Sequence, residues 1–332
     1  MKDFFRQPRN GGLMQHRFSR REALALGAAF LAAPTSVSAQ SATSLKVGGV
    51  PEDSITPALW AQQSGLFKKY GLDVNLESQR SGSAVSSGVV GGAYQIGKSS
   101  LPSLIIAHTR NIPFVLIAPA GLYEASSPIL ALLVRADSTY KSGADLNGKT
   151  IAVSALNDLY TISTKEWIDH HGGDSSTVKL IELPVSAVPA ALAAGRIDAG
   201  CCIEPEMGAA IAGGKVKIMA PVGDAVASEF LYTGWFTTLD YAQKNRAAVD
   251  AFARAMREAN TYFNAHRNAS DDALAKFSGI PAATIAKMRR VTDATTLDPK
   301  QIQPLIDAAA RAKVIAKGFD AKELIDPGLR TT

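Results

Sequence analysis

The chain has 332 residues, 46% hydrophobic and 20% charged, enough apolar material for one large core or two smaller ones. This composition excludes collagen-like, disordered and disulfide-scaffold classes, and two cysteines, adjacent at Cys201 and Cys202, leave no zinc ribbon. The net charge of +5 does not mark a nucleic-acid binder: residues 1–39 hold six basic and two acidic side chains, so +4 of it sits at the N-terminus.

In chain order, the first feature is an export signal. Arg20-Arg21 follows Ser19 and precedes an apolar run over residues 23–33, and Val37-Ser38-Ala39 supplies small residues for cleavage before Gln40. The run is about half of the ~20 residues that span a bilayer, so it reads as a leader and not as an anchor. The arginine pair resembles a twin-arginine signal, with an ordinary secretory leader as the alternative. Residues 1–39 are therefore expected to be removed near Ala39/Gln40, placing the mature chain in the periplasm.

From residue 45 short β runs alternate with helical stretches. Strands are predicted at 45–50, 72–77, 94–97 and 114–118, with helices at 57–70, 83–91 and 101–109 between them. The order then restarts. Strands at 149–153, 178–183, 197–203 and 216–220 alternate with helices at 160–170 and 187–194. Such alternation predicts helix-covered, mostly parallel sheets. A shift of 103 positions puts Gly92 on Gly195, Gly97 on Gly200 and Pro102 on Pro205, which points to a duplicated α/β lobe and not a solenoid.

The expected fold class is α/β: two lobes, each with a mixed, mostly parallel sheet, joined by a hinge of two crossing segments. The apolar stretches 129–134 and 231–239 are read as the crossings. Residues 44–133 form the first part of lobe 1, 134–234 form lobe 2, and 235–332 complete lobe 1 with helices at 246–264, 271–277, 281–290 and 299–317.

In such sheets ligands sit beyond the carboxyl ends of the strands, where helices begin. Those turns carry capping residues here: Ser81-Gly82-Ser83, Ser99-Ser100 before Pro102, Asn157-Asp158 before Tyr160-Thr161, and Glu204-Pro205. Converging helix N-termini with free N–H groups favour an acidic or acceptor-rich ligand end, while Glu204 caps its helix or accepts from a ligand N–H. Trp235 and Tyr232 either cover the ligand or pack in the core. His170-His171 reads as a solvated helix end, and no G-x-S-x-G, P-loop or H-E-x-x-H is present. Cys201 and Cys202 should point to opposite faces of one strand.

Several segments together resemble the nitrate/sulfonate/taurine and thiamine-precursor substrate-binding proteins. They are Ala61-Gln62-Gln63-Ser64-Gly65-Leu66-Phe67, Tyr70-Gly71-Leu72-Asp73-Val74, Tyr94-Gln95-Ile96-Gly97, Asp145-Leu146-Asn147-Gly148-Lys149 and Ala194-Gly195-Arg196-Ile197-Asp198-Ala199. The resemblance implies a two-lobed, type II periplasmic-binding-protein-like fold. It implies a monomeric, non-enzymatic receptor that captures a small organic anion or a pyrimidine-like ligand and delivers it to an ABC permease in the inner membrane. No cofactor, metal or nucleic acid is implied. It places ligand contacts at Ser54, Gly82, Ser83, Ser99, Ser100, Asn157, Tyr160, Thr161 and Glu204.

Two positions depart from the family pattern. Lys98 stands where small residues are usual and would add a positive charge. Fungal pyrimidine synthases of this family carry a Cys-Cys-Cys-Phe-Cys run where this chain has Leu231-Tyr232-Thr233-Gly234-Trp235-Phe236. A synthase is the alternative function, and a receptor feeding a membrane sensor is a third.

Overall fold

Alternation of side chains along the first strand sets the pattern for the whole chain. In β1 (Thr43–Gly49) Leu45 and Val47 are buried while Ser44 and Lys46 face out, the period of a half-buried strand. The computed structural model describes residues 42–329, so the expected export signal lies outside the described residues.

After a 3-10 turn at Asp53–Ile55 the chain forms α1 (Thr56–Gln63), with Pro57 in the first turn, where no N–H partner is needed. Gly65, at φ 78°, breaks the single helix predicted over 57–70, and α2 (Leu66–Lys69) follows as a separate turn. Then come β2 (Leu72–Ser78), α3 (Gly82–Val90), β3 (Ile96–Ser100), α4 (Leu101–Thr109), β4 (Phe114–Pro119) and β5 (Gly121–Glu124). The middle of the chain gives β6 (Leu130–Arg135), β7 (Thr150–Val153), α5 (Leu159–His170), β8 (Lys179–Glu182), α6 (Val188–Ala193), β9 (Ala199–Ile203), α7 (Glu206–Ala212) and β10 (Val216–Pro221). The last third gives β11 (Glu229–Leu231), β12 (Thr233–Thr238), α8 (Leu239–Lys244), α9 (Arg246–Ala265), α10 (Asp271–Ser278), α11 (Ala282–Ile285), β13 (Thr292–Asp293) and α12 (Pro299–Arg311).

Two five-stranded sheets result, in the orders β2-β1-β3-β12-β4 and β8-β7-β9-β6-β10. They have the same design. Strand β9 follows β3 residue for residue at the 103-position shift, each ends at a Pro-started helix or turn, and the glycines that precede them, Gly92 and Gly195, take φ 76° and 64°. The duplication is therefore real in three dimensions.

The proportion of parallel pairs differs from the expectation. In each sheet two neighbouring pairs are parallel and two antiparallel. The reason is an exchanged strand: β12, arriving from the second half, runs antiparallel between β3 and β4, and β6, arriving from the first, runs antiparallel between β9 and β10. These are the stretches 129–134 and 231–239 that were expected to be crossings. They are sheet strands, and lobe boundaries at 134 and 234 would fall inside β6 and β12. The chain passes between the sheets just before them, where β5 and β11 pair antiparallel and join β13 in a small third sheet.

The C-terminal helices only partly follow the expectation that they cover the first lobe. Helix α9 lies on β4 and α1, burying Phe252, Met256 and Phe263, each worth roughly 1.5–3 kcal/mol of transfer free energy. Helix α12 instead packs against α4, α5 and β11. It reaches α5 of the second half through Arg311, whose Nη2 lies 2.5 Å from the buried Glu166 carboxylate, and Lys165 Nζ donates to Ala312 O at 3.1 Å. The helix predicted over 281–290 is only the four residues of α11, and the rest is loop that carries Arg289 and Arg290 to polar partners.

Candidate functional site

The loop after β1 leaves the carboxyl end of a central strand, and its acids are fixed one by one. Asp53 accepts from Arg290 Nε at 3.0 Å and lies 2.9 Å from Nη2, while its other oxygen accepts the Val291 N–H at 2.7 Å. Burial pushes the Asp53 carboxyl up, and the Arg290 guanidinium pulls it back. Arg290 also lies 2.5 Å from Asp271. With Asp53 anchored, Glu52 falls on Lys98, whose Nζ donates to Oε1 at 2.5 Å. Lys98 is on β3, pairs in register with Gly49 and Trp235, and is 0% exposed. An ammonium at that depth needs a counter-charge, so the extra positive charge seen in the sequence is present but compensated.

Around this pair the first sheet contributes the predicted serines. Gly82 opens α3 directly against the Ser99 hydroxyl, so that a Cβ at position 82 would collide with it. Ser99 is 1% exposed and its hydroxyl has no partner among the described residues. Ser81 caps α3 by accepting the Ala84 N–H at 3.3 Å, and the exposed Ser83 lies 2.9 Å from it, oxygen to oxygen. Ser100 precedes α4 and lies 3.1 Å from the Ser103 hydroxyl. Ser54 is buried in the crossing: it accepts from Thr233 Oγ1 at 3.2 Å and hydrogen-bonds the Tyr232 phenol.

The second sheet contributes α5 and α7. Asp158, not Asn157, caps α5, accepting the Thr161 N–H at 3.0 Å and the Ser154 hydroxyl, and burial pushes its carboxyl up to about 6. Asn157 is exposed. Thr161 is buried and its hydroxyl donates to Ala155 O at 2.8 Å, so its side chain is satisfied within the turn. Tyr160 is partly buried, and its phenol is raised well above its ordinary value by burial and by the acids Asp158, Glu52 and Glu206. Glu206, first residue of α7, is raised by burial and by Glu52. The charge of Glu52, on the loop after β1, thus acts on Tyr160 and Glu206 beside the other sheet.

Two expected contacts move elsewhere. Trp235 is wholly buried and meets Phe252 edge to face, centroids 5.3 Å apart, because strand alternation turns it toward α9. It packs in the core. Glu204 is not an open lip: it is 6% exposed, accepts the Gly208 N–H at 3.0 Å and takes the backbone N–H of Arg289 from the opposite half. Cys201 and Cys202 are free, buried thiols on opposite faces of β9, Cys202 pushed up to about 12 by burial. His171 stacks on Trp167 at 4.3 Å, the ordinary fate of a helix-end histidine.

Sequence reasoning named the Asn157-Asp158 pair as the cap of α5, of which Asp158 is the one that caps, but did not find Glu52 or Glu206. The Pro51-Glu52-Asp53 turn, with two acids at the end of a central strand, was the available signal. Its pairing with a lysine 46 residues away has no local trace.

Two α/β sheets of equal design, an exchanged strand in each and polar helix starts meeting between them define the periplasmic-binding-protein class of fold. The chain belongs to the NMT1/THI5-like family, whose model matches residues 52–270. It is 24% identical over 215 residues to a protein of Escherichia coli (strain K12) named for binding aliphatic sulfonates, covering 63% of this chain and 66% of that one. It is 27% identical over 139 residues to the formylaminopyrimidine-binding protein of Halalkalibacterium halodurans, covering 42% of this chain and 40% of that one. The chain therefore spans just under two thirds of the first relative and well under half of the second. Among solved structures, the periplasmic aliphatic sulphonate binding protein SsuA from Escherichia coli has the same fold, with a TM-score of 0.71 and 21% identity over 86% of this chain and 92% of that one.

Proposed function

We propose that this protein is an extracytoplasmic solute-binding receptor, a non-catalytic monomer that captures a small organic solute between its two sheets and hands it to an ABC importer in the membrane. The observation that carries the reading is the buried Lys98 held on Glu52 at the carboxyl end of the first sheet, next to a Ser99 hydroxyl that lies against the start of α3 with no partner among the described residues. Groups left unsatisfied in such a cleft supply orientation to a ligand that brings the missing partners. Family membership and the names of the relatives support the same reading.

Absence of catalysis is part of the proposal. The two cysteines are held as buried thiols with raised pKa, the opposite of an activated nucleophile, and the second crossing bears aromatic residues in place of a cysteine cluster. No helix among the described residues is long and apolar enough to cross a membrane. Export through the arginine-bearing leader, with cleavage near Gln40, completes the assignment to the periplasm.

A thermal-shift screen of alkanesulfonates, nitrate, aromatic carboxylates, amines and aminopyrimidines tests it, since a solute that binds only the native state raises the melting temperature. A shift with one solute class at micromolar concentration is the expected result. No shift with any class, together with turnover of a screened compound, would transfer the protein to the enzymes.

A further inference from the structure

Helix α12 is tied to the first half by the chain that follows it. Gln303 donates through Nε2 to Phe319 O at 3.0 Å and accepts the Ala321 N–H at 2.9 Å, which folds the 3-10 turn Ala321–Leu324 back onto the helix. That turn packs on α4 and β4, and the chain beyond it joins the first sheet. Ile325 bridges Leu116 of β4, and the Asp326 N–H donates to Leu116 O at 3.0 Å. Helix α12 also meets α5, which packs on β9 of the second sheet. Leu104 of α4, Leu305 and Ile306 of α12, and Ile162 and Trp167 of α5 lie in one buried apolar cluster, so this helix continues the core of one half into the other.

Apolar contact is non-directional and tolerates sliding, so it does not fix where α5 sits on α12. Two polar links at the end of α12 do. Arg311 donates through Nε at 2.8 Å and Nη2 at 2.5 Å to Glu166 Oε2. Glu166 is 4% exposed, so the guanidinium supplies the counter-charge that a buried carboxylate requires. Lys165 Nζ donates to Ala312 O at 3.1 Å, one of the terminal carbonyls that an α-helix leaves without an internal partner, and sets a cation at the negative end of the helix dipole. Both links are directional, and both join residues of opposite halves. On the receptor reading, a rotation of the halves about β5 and β11 keeps α12 on the first half and has to part these two links from α5.

We propose that the end of α12 is a latch: Arg311 on Glu166 and Lys165 on Ala312 hold the solute-free halves at one spacing, and the halves close on a solute by sliding α5 off these links. The latch thereby sets the balance between resting and closed forms on which a solute then acts. The inference rests on the receptor reading above and specifies what holds its resting state, but its test needs no solute.

Spin labels on Val90→Cys and Ala193→Cys report the spacing of the halves by double electron–electron resonance. Both are exposed residues at the ends of α3 and α6, placed on each other by the 103-position shift. Cys201 and Cys202 are fully buried and stay unlabelled. Without solute the labelled chain should give one narrow distance peak. Arg311→Met, Glu166→Leu and Lys165→Met in one chain remove both links without stranding a buried charge. This variant should raise the fraction of molecules outside the native peak about 10-fold while melting close to the native temperature. Phe252→Leu, in the separate apolar cluster under α9, controls for loosened packing and should leave the peak unchanged. A triple variant with a peak as narrow as the native one overturns the latch and leaves the receptor reading standing, and so does a Phe252→Leu peak broadened to the same extent. A peak that broadens in the triple variant alone supports the latch, and the receptor reading is then judged separately by the solute screen.

Discussion

Glu204, just after β9, and Ser99, on β3, show how differently two buried polar side chains act. Glu204 accepts two backbone N–H bonds, one from its own helix and one from Arg289 across the crossing, so its carboxylate is structural. Glu204→Ala should lower the stability of the solute-free protein by about 1–3 kcal/mol, the cost of stranding buried donors, and a melting curve measures it. Ser99 has no partner to lose. Ser99→Ala should leave the melting curve nearly unchanged and weaken solute binding by roughly 5- to 150-fold, the equivalent of about 1–3 kcal/mol. Equal affinity in the two proteins would remove Ser99 from the site.

Asp158 carries a pH signature. Its carboxyl titrates near 6 in the folded protein against an ordinary 3.8, so between those values the folded state holds the proton more tightly than the unfolded chain. Stability from this group is therefore full below about pH 4 and falls as pH rises through 6, by about 3 kcal/mol. Asp158→Asn keeps an acceptor at the cap and removes the titration. The variant should gain on the native protein as pH is raised from 4 to 6.5, and a melting-temperature difference that stays flat across that range would contradict the assignment.

At the scale of elements, the repeat was legible and its closure was not. Gly92, Gly97 and Pro102 mark the same points of one half that Gly195, Gly200 and Pro205 mark of the other, because a left-handed turn, a close strand contact and a helix start each restrict the residue locally. The exchanged strands β6 and β12 were read as linkers. A strand buried on both faces shows a continuous apolar run, and nothing in such a run says which sheet it joins. The serine and proline helix starts were legible for the same local reason, whereas the Glu52–Lys98 pair and the turn of Trp235 toward α9 depend on partners far away in sequence.

Helix α12 also belongs to this class, since its contact with α5 comes from Arg311 on Glu166, 145 residues away. Arg311 is half exposed, which screens the pair, but Glu166 is 4% exposed and would be left without a counter-charge. Arg311→Met is expected to destabilise by about 1–3 kcal/mol, and Glu166→Leu in the same chain to restore most of it, because a buried pair replaced as a whole is often neutral. Denaturant unfolding of the two single variants and the double variant checks this; independent, additive effects would mean that the pair does not join α12 to α5.

For the whole molecule, the arrangement is two sheets joined by β5 and β11, two short antiparallel strands that carry the chain across once in each direction. A rotation of the halves about this connection is what the receptor reading predicts. Glu52 follows β1 of one sheet, while Tyr160 lies in the first turn of α5 beside the other, and on the proposed reading a solute joining the two would hold the halves together. The central claim is therefore a receptor that closes on its solute. Small-angle X-ray scattering on the solute-free protein and on the same protein saturated with a solute whose binding calorimetry has verified is the most direct measurement of it. The account predicts a smaller radius of gyration in the saturated sample, and an unchanged radius in the verified complex would contradict it.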